Sequence, residues 1–174
     1  MDQGTYARVA TRMRAFVRPA LSPDTLPMPL DNPALDAAPA AETLDGANLS
    51  GPLADFLLAM SAKLDTVVSL LSQKRLEDDF QDAVEVLEIG AQGLEFVARR
   101  PFAAGDVLEF ALVLNQYPLR LAAAVGRVEA VAASAAGPRH TVAFTRIREA
   151  DFEAVVHFVI NEERQQIRET RWPR

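Results

Sequence analysis

From Phe80 to Ile147 the apolar residues recur at every second position in short runs, broken by turns rich in Gly, Pro, Asn and Asp. A period of two marks strands with one buried face, and a helix cannot satisfy it. Residues 83–89 read as a strand, 90–93 as its turn and 94–98 as the return strand. A loop at 102–106 leads to a third strand at 107–114, and Asn115, Gln116, Tyr117 and Pro118 make the next turn. Residues 119–132 suffice for a long strand bent at Gly126; after a small-residue loop, the last strand runs over 140–147. Short, evenly spaced strands point to a sandwich or a barrel, and closure removes exposed edges. The expected core is Val84, Val86, Ile89, Leu94, Phe96, Phe110, Leu112, Val125, Val128, Val142 and Phe144.

Two helical patterns flank this region. Leu53, Leu57, Met60, Leu64, Val67 and Leu71 follow alternating steps of four and three, which sets Leu57, Leu64 and Leu71 at heptad position a and the others at d. Phe56, Val68 and Leu70 widen the stripe, and Ser50 followed by Gly51 and Pro52 supplies a helix start. Such a face either lies on its own domain or self-associates. Residues 149–171 form the second pattern: Phe152, Val155, Val156, Val159, Ile160 and Ile167 share one face. Acids gather in its first turn, and Arg168 and Arg171 in its last, as the helix dipole favours.

The N-terminal residues 1–18 are basic, with Arg8, Arg12, Arg14 and Arg18. Tyr6, Val9, Met13, Phe16 and Val17 fit a helix, whereas Met13, Ala15 and Val17 alternating with arginines fit a strand; both readings stay open. Residues 19–52 hold most of the chain's eleven prolines and read as a Pro/Ala-rich linker. Apolar residues make up 49 % of the 174, so a core can form, and the formal net charge of −6 argues against a general nucleic-acid binder. The absence of cysteine removes disulfides, thiol catalysis and thiolate metal sites. No apolar run approaches the ~20 residues of a membrane helix, and no signal peptide is indicated, so a cytoplasmic location without membrane insertion is expected.

The segment Val86-Leu87-Glu88-Ile89-Gly90-Ala91-Gln92-Gly93-Leu94-Glu95-Phe96 resembles the (Asp/Asn)-x-Ser-x-x-Gly turn of the PilZ family. The order that follows is similar too: a Gly-Asp loop, the 108–112 strand, Val125-Gly126-Arg127-Val128, Val142-Ala143-Phe144 and a closing helix. Arg8-x-x-x-Arg12 resembles the family's Arg-x-x-x-Arg element, which precedes the first strand. The resemblance covers residues 80–171 and, more weakly, 6–18. It implies an α+β fold: an antiparallel β-barrel of about six strands with a C-terminal helix. The heptad helix at 53–79 is additional, carried by an insertion over 19–79. It also implies a site for cyclic di-GMP, gripped by the arginine pair through phosphate forks and base stacking. Arg8, Arg12, Glu88 and Gly93 are its candidates here. Glu88 stands where Asp or Asn is expected, Gly90 replaces the serine, and only Gly93 matches.

No catalytic set assembles. His140 and His157 read as ordinary surface or half-buried histidines, and Asp78, Asp79, Glu162 and Glu163 as solvated carboxylates. There is no nucleophile elbow, no phosphate loop with lysine and no metal-ligand spacing, so no enzyme, metal or cofactor is expected. The leading expectation is a PilZ-like signalling adaptor acting by protein–protein contact with an unidentified partner. It would oligomerise through Leu53, Leu57, Met60, Leu64, Val67 and Leu71, a tetramer before a dimer, with weak or absent cyclic di-GMP binding. The runner-up is a cyclic di-GMP receptor using Arg8 and Arg12; a purely structural oligomer is the third reading.

Overall fold

The computed structural model describes residues 7–30, 40–45 and 47–171. In chain order the elements are β1 (Arg8–Pro19), α1 (Ala40–Asp45), α2 (Gly51–Asp79), β2 (Asp82–Gly90), β3 (Gly93–Val97), β4 (Val107–Gln116), β5 (Leu119–Ala132), β6 (Arg139–Ile147) and α3 (Glu149–Arg171). The six strands close into an antiparallel barrel in the order β1-β2-β3-β6-β5-β4. Strand β5 and helix α3 fall at the positions that periodicity sets for them. Gly126 sits at a register shift against β6, where a Cβ would meet the Val142 side chain at 2.5 Å.

The basic N-terminal segment is a strand, which decides between its two readings; Tyr6 lies outside the described residues. Val9, Met13, Ala15 and Val17 point into the barrel interior while the arginines face out. The Arg-x-x-x-Arg element therefore does not precede the first strand, as the resemblance implied, but lies within it. Closure requires this: β1 fills the gap between β2 and β4.

All the expected core residues are buried except Phe144, which packs partly exposed against the interior cluster. Helix α3 covers the barrel through Ala154, Val155 and Val159, with Phe158 half-buried. Ile160, assigned to that face, is instead exposed, since the helix turns Phe158 toward the barrel in its place. His140 also departs from expectation. It is fully buried, stacked on Phe96 at 4.7 Å between centroids, and its Nε2 accepts the Phe102 N–H at 3.1 Å.

A second apolar cluster lies outside the barrel wall: Phe16, Ala111, Val113, Leu119 and Leu121 are covered by Leu76 and Phe80, with Met28 and Leu30 packed against them. Strand β4 is consequently buried on both faces, which is why its sequence runs Phe-Ala-Leu-Val-Leu without polar alternation. Residues 20–30 lie on the barrel. Glu109 accepts the Met28 N–H at 2.5 Å, and Arg148 donates twice to the Pro27 carbonyl, at 3.2 and 3.0 Å.

Helix α2 leaves this cluster with 29 residues, about 44 Å of helix. Ser50 sits at its N-cap in extended conformation, a proline follows in the first turn, and the Phe80 N–H closes the C-terminus on the Leu76 carbonyl. Only Ser69 and Leu76 are buried along its length. The heptad stripe is open: Leu64 is 59 % and Leu71 65 % exposed, Leu53, Met60 and Val67 are exposed, and Leu57 is half-buried.

Candidate functional site

The β2–β3 turn and the start of β1 meet on the outer wall of the barrel. The turn sets Gly90 opposite Gly93, Ile89 opposite Leu94 and Glu88 opposite Glu95, while β1 sets Arg8 opposite Gly90. Two carboxylates directly across a ladder repel. Arg8 relieves this: its Nη1 lies 3.8 Å from both Glu88 and Glu95. Arg139 adds a second cation, with Nε and Nη2 each 2.5 Å from Glu95 Oε2, and the Thr141 hydroxyl donates to Oε1 at 3.5 Å.

Gly90 makes the first of these contacts possible. A Cβ there would stand 2.9 Å from Arg8 Cγ and 3.1 Å from the Ala7 carbonyl, so the missing side chain is the space over which Arg8 lies. Gly93 has a different role. A Cβ at this position would come within 2.1 Å of the Val142 carbonyl, so its match to the family motif coincides with a close approach of β3 to β6. The Gln92 carbonyl accepts the Phe144 N–H beside it.

The fold thus gathers Arg8, Glu88 and Gly93 and leaves Arg12 apart. Arg12 falls in the register shift between Ala10 and Met13, is 87 % exposed, and makes a surface contact of 3.9 Å with Glu85. A surface pair of this kind is worth at most about 1 kcal/mol. Glu95 and Arg139 are the site residues that periodicity did not single out. Glu95 was available from counting across the turn; Arg139 was not, because its place beside Glu95 depends on β6 pairing with β3. The result is a cluster of two guanidiniums and two carboxylates. Both Arg8 and Arg139 stand against carboxylates while staying about 40 % exposed, and Glu88 and Glu95 set negative charge beside the two guanidiniums.

Among the described residues no group of three or more His, Asp or Glu side chains could hold a metal ion, and no helix is long and apolar enough to cross a membrane.

No family model and no curated protein matches the sequence. Solved structures do. The chain is similar to a protein from Xanthomonas campestris, a tetrameric PilZ domain self-assembled via a helical bundle, with TM-score 0.56 and 16 % identity over 94 % of this chain and 92 % of that one. It is similar to the inhibitor of motility of Bacillus subtilis, with TM-score 0.53 and 10 % identity over 95 % of this chain and 53 % of that one. YcgR of Escherichia coli, solved in complex with c-di-GMP, matches with TM-score 0.51 and 7 % identity over 98 % of this chain and 50 % of that one. The chain spans about half the length of the latter two. The barrel order, the closing helix and these likenesses agree: the chain has the PilZ-like fold.

Proposed function

We propose that the chain is a non-enzymatic, cytoplasmic PilZ-like signalling adaptor that assembles through α2 and acts by contact with a protein partner, binding cyclic di-GMP weakly or not at all. In this reading residues 53–79 are the assembly helix, 19–52 connect it to β1, and residues 1–18 with 80–174 make the barrel unit. The observation that carries it is the open stripe on a helix of 29 residues whose base alone is held by the barrel. Fully burying a leucine or valine is worth about 1.5–3 kcal/mol, and among the described residues nothing covers a stripe this wide. Leucine at a with β-branched Val67 at d favours bundles of more than two helices, and Phe56, Val68 and Leu70 add the width a tetramer uses. The Xanthomonas campestris protein, of nearly the same length, assembles in that manner.

Weak nucleotide binding follows from Arg8. To grip a phosphate it must leave Glu88 and Glu95, which then face the incoming charge. Light scattering on the intact chain and on Leu64→Asp tests the assembly. A tetramer that the variant dissolves supports the reading, whereas a monomeric intact chain or an unchanged variant mass overturns it. Binding of cyclic di-GMP at low micromolar concentration, lost in Arg8→Ala, would replace the adaptor with a receptor.

A further inference from the structure

The seam that closes the barrel is only half laddered. β1 and β4 pair from Ala15 opposite Leu112 to Pro19 opposite Leu108. Continuing that register would set Arg14 opposite Val113, Met13 opposite Leu114, Arg12 opposite Asn115 and Thr11 opposite Gln116. None of these pairs forms. Both strands shift register here, β1 between Ala10 and Met13 against β2, and β4 between Val113 and Asn115 against β5. Bulges bend a strand away from its neighbour, and the two bends open a slot. The groove that results is lined by these same unpaired residues, with Phe158 and Glu162 of α3.

We infer that this slot receives an extended peptide segment of a protein partner, added as a strand along the free edge of β1, with apolar residues alternating with acidic ones. Along an antiparallel strand, alternate residues turn their N–H and C=O groups toward one neighbour, so both edges aim main-chain donors and acceptors into the slot. Next along β1, the Ala10 carbonyl is met by the Gln166 side chain of α3 at 2.6 Å, a side chain serving as donor on this strand. An added strand supplies affinity through its main chain and specificity through alternate side chains. On the inner side it would meet the half-buried, apolar Phe158, beside Met13 and Leu114 that the barrel core already buries. On the outer side stands Arg12, 87 % exposed, whose contact with Glu85 is a surface pair that an acidic side chain replaces at little cost. The inference gives a surface to the partner contact proposed above and rests on that reading only there. The geometry belongs to the seam and not to α2, so the two fail separately.

The test is amide hydrogen exchange by NMR on the intact chain, in whatever assembly it forms. The probe is an acetylated hexapeptide alternating valine and glutamate, and its valine–lysine counterpart is the control. In the free protein, slot-facing amides of residues 11–14 and 113–116 should exchange at least about tenfold faster than the laddered amides of 15–19 and 108–112. The glutamate peptide at millimolar concentration should slow them and the lysine peptide should not. Arg12→Glu should reverse that preference while leaving the exchange of β5 and β6 unchanged. Slot amides already as protected as the laddered ones, no response to the glutamate peptide, or equal response to both peptides would overturn the inference.

Discussion

Arg18 and Glu109 are direct cross-strand partners on the β1–β4 ladder, and both Nε and Nη2 of the guanidinium lie 2.8 Å from Glu109 Oε2. The other carboxylate oxygen takes the Met28 N–H, and Arg18 lies over the Phe80 ring at 4.8 Å while donating at 3.5 Å to the Asp79 carbonyl. One ion pair thus ties the barrel, the 20–30 strap and the base of α2 together.

Glu109→Ala should therefore destabilise the protein by about 3 kcal/mol, because it removes the carboxylate partner of the half-buried Arg18 and the acceptor of the Met28 N–H. Glu109→Gln should cost less, since an acceptor for Met28 remains. Urea unfolding followed by circular dichroism measures both; equal stability of Glu109→Ala and wild type would show that the strap is not anchored there.

The glycines flanking the β2–β3 turn should separate. Gly93→Ala forces a Cβ onto the Val142 backbone and should cost about 3 kcal/mol or more, whereas Gly90→Ala presses mainly on the flexible Arg8 side chain and should cost about 1 kcal/mol. Thermal melts of the two variants in one buffer decide this, and a reversed order would contradict the packing described.

The two ends of α2 should also respond differently. Leu64→Asp should lower the mass without disturbing the barrel, because Leu64 is exposed within the chain. Leu76→Asp buries a charge in the outer cluster beside Phe16 and Phe80 and should unfold the protein or cost more than about 4 kcal/mol. Circular dichroism with light scattering distinguishes lost assembly from lost fold.

Calorimetry with cyclic di-GMP should give no affinity tighter than the high micromolar range. Each hydrogen bond to a charged group that the site fails to supply costs roughly 1.5–3 kcal/mol, at least about tenfold in affinity. Replacing Glu88 and Glu95 together by glutamine removes both carboxylates facing Arg8 and should strengthen any residual binding; weakening by that variant would show that the acids are not the obstacle.

Asp151 offers a pH test. Burial raises its carboxyl above the ordinary value of 3.8, against the opposing effects of the Ala123 backbone hydrogen bond and the Arg148 charge. Ala123 lies just past the end of the β5–β6 ladder, so Asp151 serves a strand edge that β6 leaves behind. A carboxyl raised on folding contributes stability that is complete below the unfolded pKa and lost as pH rises through the folded one. Asp151→Asn should accordingly be the more stable protein at pH 7, with the difference closing as pH falls toward 4. A gap that widens on acidification would reverse the sign of the shift.

Much of the fold was legible from residues alone. The period of two from Phe80 to Ile147, the bend at Gly126 and the stripe on α3, apart from the exposed Ile160 and Ile167, are local patterns, and local patterns report which face of an element is apolar. The Glu88–Glu95 opposition belongs to the same class, since a tight turn lets register be counted outward from it. Residues 8–19 were different. Their sequence fits helix and strand alike, and they became a strand because the gap between β2 and β4 had to be filled for the barrel to close. Tertiary structure also decided that Phe16, on the solvent side of β1 by periodicity, is buried beneath Leu76 and Phe80, and that His140 is enclosed by Phe96 and Phe102. It set Arg139 beside Glu95 and left β1 and β4 unpaired over half their seam. Periodicity specifies that a face needs covering; which distant segment covers it depends on contacts whose benefit appears only once the chain has closed on itself.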